Sequence, residues 1–107
     1  MTVFTPVARA VTIENQRYVA ATVNGRAVLV FNLDGQFFAI EDRCSHAVNA
    51  LNGGRCRNGR IFCPLHGAQF DIRTGQAKSP PASVPVQTFM VEVRDGYVNV
   101  AVEPTPV

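Results

Sequence analysis

Two short segments of this chain combine cysteine with histidine, and they constrain the fold more than any other feature of the sequence. The first is Cys44-Ser45-His46, and the second, Cys63-Pro64-Leu65-His66, follows after sixteen residues. Together they use both histidines of the chain and two of its three cysteines. Thiolate and imidazole groups are the ligands that proteins use for zinc, copper and iron–sulfur centres. The fold must therefore bring two loops together, so that four ligands share one metal site.

The identity of the four ligands limits the metal. Tetrahedral zinc accepts two cysteines and two histidines, but zinc fingers usually pair Cys with Cys and His with His along the chain. A Rieske [2Fe–2S] centre instead takes two cysteines on one iron and two histidines on the other. Each segment here supplies one of each kind, which favours the iron–sulfur centre; a structural zinc-binding module stays an alternative. A Cys–His nucleophile pair would leave half of the motif unexplained.

The two segments resemble the Rieske iron–sulfur family, whose motif is C-x-H, a spacer of about this length, and C-x-x-H. This resemblance implies one [2Fe–2S] cluster per chain, with Cys44 and Cys63 on one iron and His46 and His66 on the other. It also implies that the run Lys78-Ser79-Pro80-Pro81 corresponds to the family's proline-containing loop, which covers the cluster.

Length and composition describe one ordinary globular domain. With 107 residues and 47% hydrophobic content, the chain is able to bury a modest core. A net charge of +2 is too weak for a nucleic-acid footprint, and no run of about twenty apolar residues exists that could span a membrane. The first residues lack the basic and apolar regions of a signal peptide. We therefore expect a cytoplasmic protein without disulfides.

Short β-type segments bounded by turn signals run along almost the whole chain. Asn-Gly and Asp-Gly are strong signals for two-residue hairpin turns, and no segment of eleven or more residues holds a helical apolar period. The hairpin signals are Asn24-Gly25, Asp34-Gly35 and Asp95-Gly96. The predicted strands are residues 17–23, 27–31, 36–40, 60–62, 68–72, 88–94 and 97–102.

This pattern predicts an all-β fold of half-buried antiparallel strands, either a sandwich or an open barrel. The region from about residue 41 to residue 85 is richer in turn formers and contains both ligand segments. We expect a single Rieske domain over residues 1–107, with a small cluster-binding subdomain at about 41–85.

Departures from the membrane-complex Rieske proteins indicate a different subfamily. Those proteins carry two further cysteines, joined in a disulfide, at the positions of Asn49 and Leu65. They also carry a serine and a tyrosine, whose hydroxyls donate hydrogen bonds to cluster sulfurs, at the positions of Ala68 and Phe70. Such hydrogen bonds raise the reduction potential. Their loss implies a potential near the bottom of the Rieske range, at about −150 mV.

The chain most resembles the small soluble ferredoxins of bacterial aromatic ring-hydroxylating dioxygenases. This resemblance implies a monomer that is not itself an enzyme, and that carries single electrons from an NAD(P)H-dependent flavoprotein reductase to a terminal Rieske oxygenase through transient contacts. The chain has no further histidine for a 2-His-1-carboxylate iron, and Gly53-Gly54 lacks the strand–helix context of a dinucleotide site. The alternative is a redox subunit of another enzyme, such as nitrite reductase.

Two residues outside the ligand set carry further expectations. Cys56 is predicted to be a small packed side chain and not a ligand. Leu65 belongs to a set of mostly uncharged residues around the two histidines, where we expect partners to dock with little dependence on salt. The set is Ala47, Val48, Asn49, Leu65, Gly67, Pro80 and Pro81.

Overall fold

A computed structural model describes residues 2–44, 50–65, 67–79 and 84–103. Within these residues the chain forms strands and one short 3₁₀ segment, Ala10–Thr12, which confirms the predicted all-β class. No helix in this part of the chain has the length and apolar character needed to cross a membrane. The strands are β1 (Thr5–Arg9), β2 (Arg17–Val23), β3 (Arg26–Leu33), β4 (Gln36–Glu41), β5 (Arg55–Arg57), β6 (Arg60–Phe62), β7 (Gln69–Asp71), β8 (Thr88–Arg94) and β9 (Tyr97–Ala101).

Six strands form one large antiparallel sheet in the order β1-β9-β8-β4-β3-β2. Its edge strands β1 and β2 approach each other, so the sheet curls into a nearly closed barrel, as predicted. Strand β1, which contains Pro6, was not predicted from the sequence. A proline is tolerated in this strand because β1 pairs only with β9, and the register shifts between Pro6 and Ala8.

Four two-residue turns join neighbouring antiparallel strands. Both central residues of each turn have positive φ, for example 51° at Asn24 and 79° at Gly25, as a type I′ hairpin turn requires. The three predicted hairpin turns are confirmed. The fourth, Asn58-Gly59, joins β5 to β6; its Asn-Gly signal was present in the sequence, but β5 was not predicted.

Strand β3 departs from the predicted half-buried pattern because both of its faces are buried. Val28 and Val30 point into the barrel, where they meet valines of β9. Leu29, Phe31 and Leu33 point to the other side and belong to a second apolar cluster. That outer side is buried because a second sheet covers it.

The second sheet has three short strands in the order β5-β6-β7 and lies between β4 and β8 in the chain. Cys56, Ile61 and Phe70 face one another across its strands and pack against the outer face of β3. The small sheet falls inside the range 41–85 that was predicted for the subdomain. The single domain over residues 1–107 stays a prediction.

Candidate functional site

The two predicted cysteine ligands lie in one cluster of buried side chains. Cys44 follows β4 after two residues, and Cys63 directly follows β6. Their exposed fractions are 0% and 3%, and both belong to the apolar cluster between β3 and the small sheet. The structure thus brings the two sulfur ligands into one buried region. His46 and His66 lie outside the described residues, so the four-residue ligand set stays a prediction.

The loop that starts at Cys44 is anchored by the carboxylate of Asp42. Its Oδ1 atom accepts hydrogen bonds from the backbone N–H groups of Leu51 and Asn52, both at 2.8 Å. The Asp42 N–H donates to the Ala27 carbonyl of the barrel at 3.0 Å. One residue therefore ties both ends of the loop to the sheet. This role was not predicted from the sequence, because a single aspartate after a strand carries no signal of its own.

The second ligand loop closes on itself beside buried apolar residues. The Cys63 N–H donates to the Ala68 carbonyl at 2.7 Å, and the Gly67 N–H donates to the Cys63 carbonyl at 3.0 Å. Ala68 and Phe70 are both fully buried in the same cluster as the cysteines. Neither side chain offers a hydroxyl group, and the low reduction potential stays a prediction.

Tyr18 of β2 connects the barrel to Gly53 and Gly54, which precede β5. Its hydroxyl donates to the Gly54 carbonyl at 2.8 Å and accepts from the Gly53 N–H at 2.9 Å. Gly54 lies so close to β6 that a Cβ atom there would collide with the Phe62 carbonyl. Because Phe62 directly precedes Cys63, this close approach sets the spacing between the two loop regions. Neither contact was predicted from sequence.

The segment before the proline run is held along β7. The Lys78 N–H donates to the Gln69 carbonyl at 2.7 Å, and the Ser79 hydroxyl accepts from the Gln69 N–H at 3.1 Å. The Val86 N–H donates to the Gly75 carbonyl at 2.8 Å, which closes the base of the segment. Pro80 and Pro81, predicted to cover the cluster, lie outside the described residues.

Cys56 lies on β5 opposite Ile61, and it packs against the same apolar cluster while remaining partly exposed. Burial raises the pKa of its thiol from 9.0 to about 11, so the group is protonated at neutral pH. These properties are those of a small packed side chain. That Cys56 does not bind the metal stays a prediction.

The donor set fits a [2Fe–2S] centre. Two thiolates in an apolar cluster would be strongly destabilised without a positive partner. An oxidised core of two Fe³⁺ and two S²⁻ carries two positive charges, which would neutralise the predicted ligands Cys44 and Cys63. Binding of the cluster would then couple deprotonation of the thiols to folding of the loops.

Comparison with known proteins gives consistent matches. Residues 3–90 match the Rieske [2Fe-2S] domain. The biphenyl 2,3-dioxygenase ferredoxin component of Rhodococcus jostii RHA1 is 46% identical over 76 residues, which cover 71% of either chain. The 3-phenylpropionate/cinnamic acid dioxygenase ferredoxin subunit of Photorhabdus laumondii is 42% identical over 76 residues, covering 70% of this chain and 72% of the relative.

Solved structures agree over nearly the whole length. The ferredoxin of carbazole 1,9a-dioxygenase from Nocardioides aromaticivorans IC177 has a TM-score of 0.89 at 31% identity, covering 97% of this chain and 100% of the other. A chain in the complex of reduced oxygenase and oxidised ferredoxin of carbazole 1,9a-dioxygenase has a TM-score of 0.90 at 31% identity, covering 100% of both. Buried cysteines from two loops and a match over most of the sequence lead to one conclusion: this chain belongs to the Rieske [2Fe-2S] domain family, whose cofactor is a single [2Fe–2S] cluster.

Proposed function

We propose that this protein is a soluble, low-potential Rieske ferredoxin of an aromatic ring-hydroxylating dioxygenase. It carries single electrons from an NAD(P)H-dependent flavoprotein reductase to the terminal oxygenase. The observation that carries this proposal is the burial of Cys44 and Cys63 from two separate loops in one apolar cluster. Relatives named as dioxygenase ferredoxins support it, as does the similar chain in an oxygenase–ferredoxin complex.

In this proposal, Cys44 and Cys63 bind one iron, and His46 and His66 bind the other. The bound cluster supplies one-electron redox chemistry. The apolar surroundings of the cysteines exclude water from the sulfurs, and Ala68 and Phe70 offer them no hydroxyl donor. Hydrogen bonds to the sulfurs stabilise the reduced cluster, which is the more negative state. Without the two hydroxyl donors of the membrane-complex proteins, we expect a reduction potential of about −150 mV.

The metal content and ligand variants test the binding of the cluster. Purified protein should be red-brown and contain iron and acid-labile sulfide in equal amounts. Cys44→Ala and His66→Ala should each abolish the normal Rieske absorption and electron paramagnetic resonance signals. Colourless protein that contains zinc without iron or sulfide would establish the structural zinc module instead.

Reconstitution tests the role as a carrier. NAD(P)H, the flavoprotein reductase and the oxygenase from the same organism are combined with and without this protein, and the hydroxylated aromatic product is measured. Product formation should require the protein in catalytic amounts. Stable copurification with another enzyme, such as a nitrite reductase, together with no effect on ring hydroxylation would establish the alternative redox-subunit role.

Leu65 tests where partners dock. In the sequence Leu65 lies between Cys63 and His66, the two predicted ligands of the second segment, and its side chain is 65% exposed. Leu65→Glu should slow electron delivery to the oxygenase while the absorption spectrum stays unchanged, because a carboxylate disfavours burial against an apolar partner surface. Val93→Glu is the matched control, since Val93 is 51% exposed on β8 of the barrel. Equal transfer rates in both variants would contradict docking at Leu65.

The cytoplasmic location and the monomeric state stay predictions. Cell fractionation and sedimentation equilibrium of the holoprotein measure them directly.

A further inference from the structure

The outer face of the small sheet concentrates arginines. In the β5–β6 register Arg57 lies opposite Arg60, and Arg55 lies opposite Phe62. Residues that face each other across antiparallel strands point to the same side of the sheet. Since the alternate residues Cys56 and Ile61 pack into the core, the three arginines point to solvent, and all three are exposed.

Lys78 extends this face beyond β7. Its backbone N–H bonds to the Gln69 carbonyl, and Gln69 in turn lies opposite Phe62. The Lys78 side chain is exposed, and its Nζ donates to the Gln76 amide oxygen at 3.2 Å. We call Arg55, Arg57, Arg60 and Lys78, together with Phe62, the basic face.

The positive charge of the basic face is barely compensated locally. Among the described residues, none of its four basic side chains forms an ion pair. Arg60 bonds to the neutral Gln69 amide oxygen at 3.0 Å. The one carboxylate on this side of the sheet, Asp71, accepts the backbone N–H groups of Arg73 and Thr74 at 2.8 and 3.2 Å.

The charge of the molecule is therefore asymmetric. The four basic residues of this face and Asp71 together carry +3, while the remaining residues of the chain carry −1. Arg57 and Arg60 also face each other directly, and like charges in that arrangement destabilise a sheet. The stability of the sheet therefore does not account for this pair.

The basic face borders the second ligand loop. Phe62 is half-buried between the strands and directly precedes Cys63. Hot spots of protein–protein interfaces are enriched in arginine and in aromatic residues. The face is only three strands wide, roughly 10 Å. This size suits a local protein contact better than nucleic acid, whose binders commonly neutralise about 6–10 phosphates along a groove.

We propose that the basic face docks an acidic surface patch of an electron-transfer partner protein and orients that partner beside the ligand loops. This inference rests on the proposed carrier function and adds the chemistry of the partner surface. Opposite charges accelerate association, and salt screens the effect. The uncharged residues near Leu65 alone predict weak salt dependence, whereas the basic face predicts strong salt dependence. The dependence of the electron-transfer rate on salt concentration therefore distinguishes docking at the uncharged residues alone from docking at the basic face.

The first experiment measures the field at the cluster without any partner. Reduced holoprotein is oxidised by ferricyanide, an anion, and separately by tris(phenanthroline)cobalt(III), a cation. The test variant is Arg57→Gln with Arg60→Gln. The matched control is Arg9→Gln with Arg94→Gln, which removes the same charge from arginines near the β8–β9 turn of the barrel.

Oxidation by ferricyanide should slow by about tenfold in the test variant at low salt, while oxidation by the cation accelerates. The difference in rate between the test variant and the wild type should be largest at about 10 mM salt and vanish at about 1 M salt. Over this range the Debye length falls from about 30 Å to about 3 Å. Equal rates in the test and control variants would show that the face does not act on the cluster environment, and would overturn the inference.

The second experiment uses the proteins that exchange electrons. The rate constants for reduction by the reductase and oxidation by the oxygenase are measured for Arg57→Glu with Arg60→Glu, and for the control Arg9→Glu with Arg94→Glu. At least one transfer should slow by about tenfold or more in the test variant only, and the wild-type rate should fall with salt. An unchanged visible spectrum and unfolding midpoint confirm that the test variant folds.

The outcomes separate this inference from the carrier function. If the wild type transfers electrons and the test variant does so at the same rates, the docking inference fails and the carrier function stands. If the test variant instead loses binding to DNA or to anionic vesicles while both transfers are unchanged, the face binds another polyanion and the inference is again overturned. If the wild type transfers electrons to neither protein, the carrier function fails and the inference fails with it.

Discussion

The large and small sheets differ in how they are stabilised. Strands of the large sheet have five to eight residues, and their inner side chains fill a barrel core of their own. Each strand of the small sheet has only three residues. A sheet this small needs to bury an apolar face to be stable in water. Its apolar side chains share a cluster with Leu29, Phe31 and Leu33 of β3, so we expect the part that holds the predicted ligands to depend on the barrel surface.

The two apolar cores also differ in what they hold. The barrel core consists mainly of valines from the large sheet. The outer cluster contains Cys44 and Cys63 together with residues from both sheets. A change in the outer cluster should therefore affect the metal centre as well as stability, whereas a comparable change on the barrel should affect stability alone. Variants in and around the outer cluster, each with a matched control, test this difference.

Gly54→Ala should have the largest effect. The new Cβ would collide with the Phe62 carbonyl, which belongs to the backbone and cannot rotate away. We expect a loss of about 2–3 kcal/mol in the free energy of unfolding. We also expect loss of most of the cluster absorbance, because Phe62 positions Cys63.

Gly53→Ala is the control for this change. Its Cβ would meet nothing within 4 Å, although its φ of +97° strains a side chain by about 1–2 kcal/mol. This variant should keep its visible spectrum. Identical spectra for both variants would refute the role of the close approach at Gly54.

Tyr18→Phe should have the next largest effect. The change removes the two hydrogen bonds to Gly53 and Gly54 but keeps the ring, whose centroid lies 5.1 Å from that of Phe31. We expect a loss of about 1–2 kcal/mol and faster release of iron to a chelator. Tyr97→Phe on the barrel is the control and should change neither quantity. Equal iron release in both variants would exclude Tyr18 as a support of the site.

Ala68→Ser combined with Phe70→Tyr should raise the midpoint potential. A hydrogen bond to sulfur that contributes about 1 kcal/mol corresponds to about 40 mV for a one-electron couple. Ala77→Ser is the control for adding a hydroxyl group. Ala77 packs against the apolar cluster that contains Ala68 and Phe70, and it is bridged to Phe70. Protein-film voltammetry measures all three proteins. A wild-type midpoint well above zero at pH 7 would contradict the low-potential interpretation.

Cys56→Ser should have the smallest effect on the centre, leaving spectrum and potential unchanged. The thiol does affect stability at high pH, because its folded pKa of about 11 exceeds the ordinary value of 9.0. The unfolded chain releases this proton first, so the wild-type free energy of unfolding should fall as pH rises from 9.0 to about 11, and less so in Cys56→Ser. Loss of the cluster in this variant would identify Cys56 as a ligand.

The sequence by itself determined the local parts of this protein. Asn-Gly and Asp-Gly turns specify two-residue hairpins through their positive φ, which is a property of the turn residues alone. For that reason β2 to β4 and the β8–β9 hairpin were predicted close to their observed bounds. The motif formed by Cys44, His46, Cys63 and His66 resembles that of the Rieske family, and this resemblance implied the family and its cluster, which are confirmed; the four-residue ligand set stays a prediction.

Only the tertiary structure decided which distant residues meet. The hydroxyl of Tyr18 reaches Gly54 across 36 positions, and no local pattern encodes such a contact. The burial of both faces of β3 likewise follows from the small sheet that covers it. Arg55, Arg57 and Arg60 form one charged face only because β5 and β6 pair in this register, since a shift by one residue would turn alternate side chains to the opposite side.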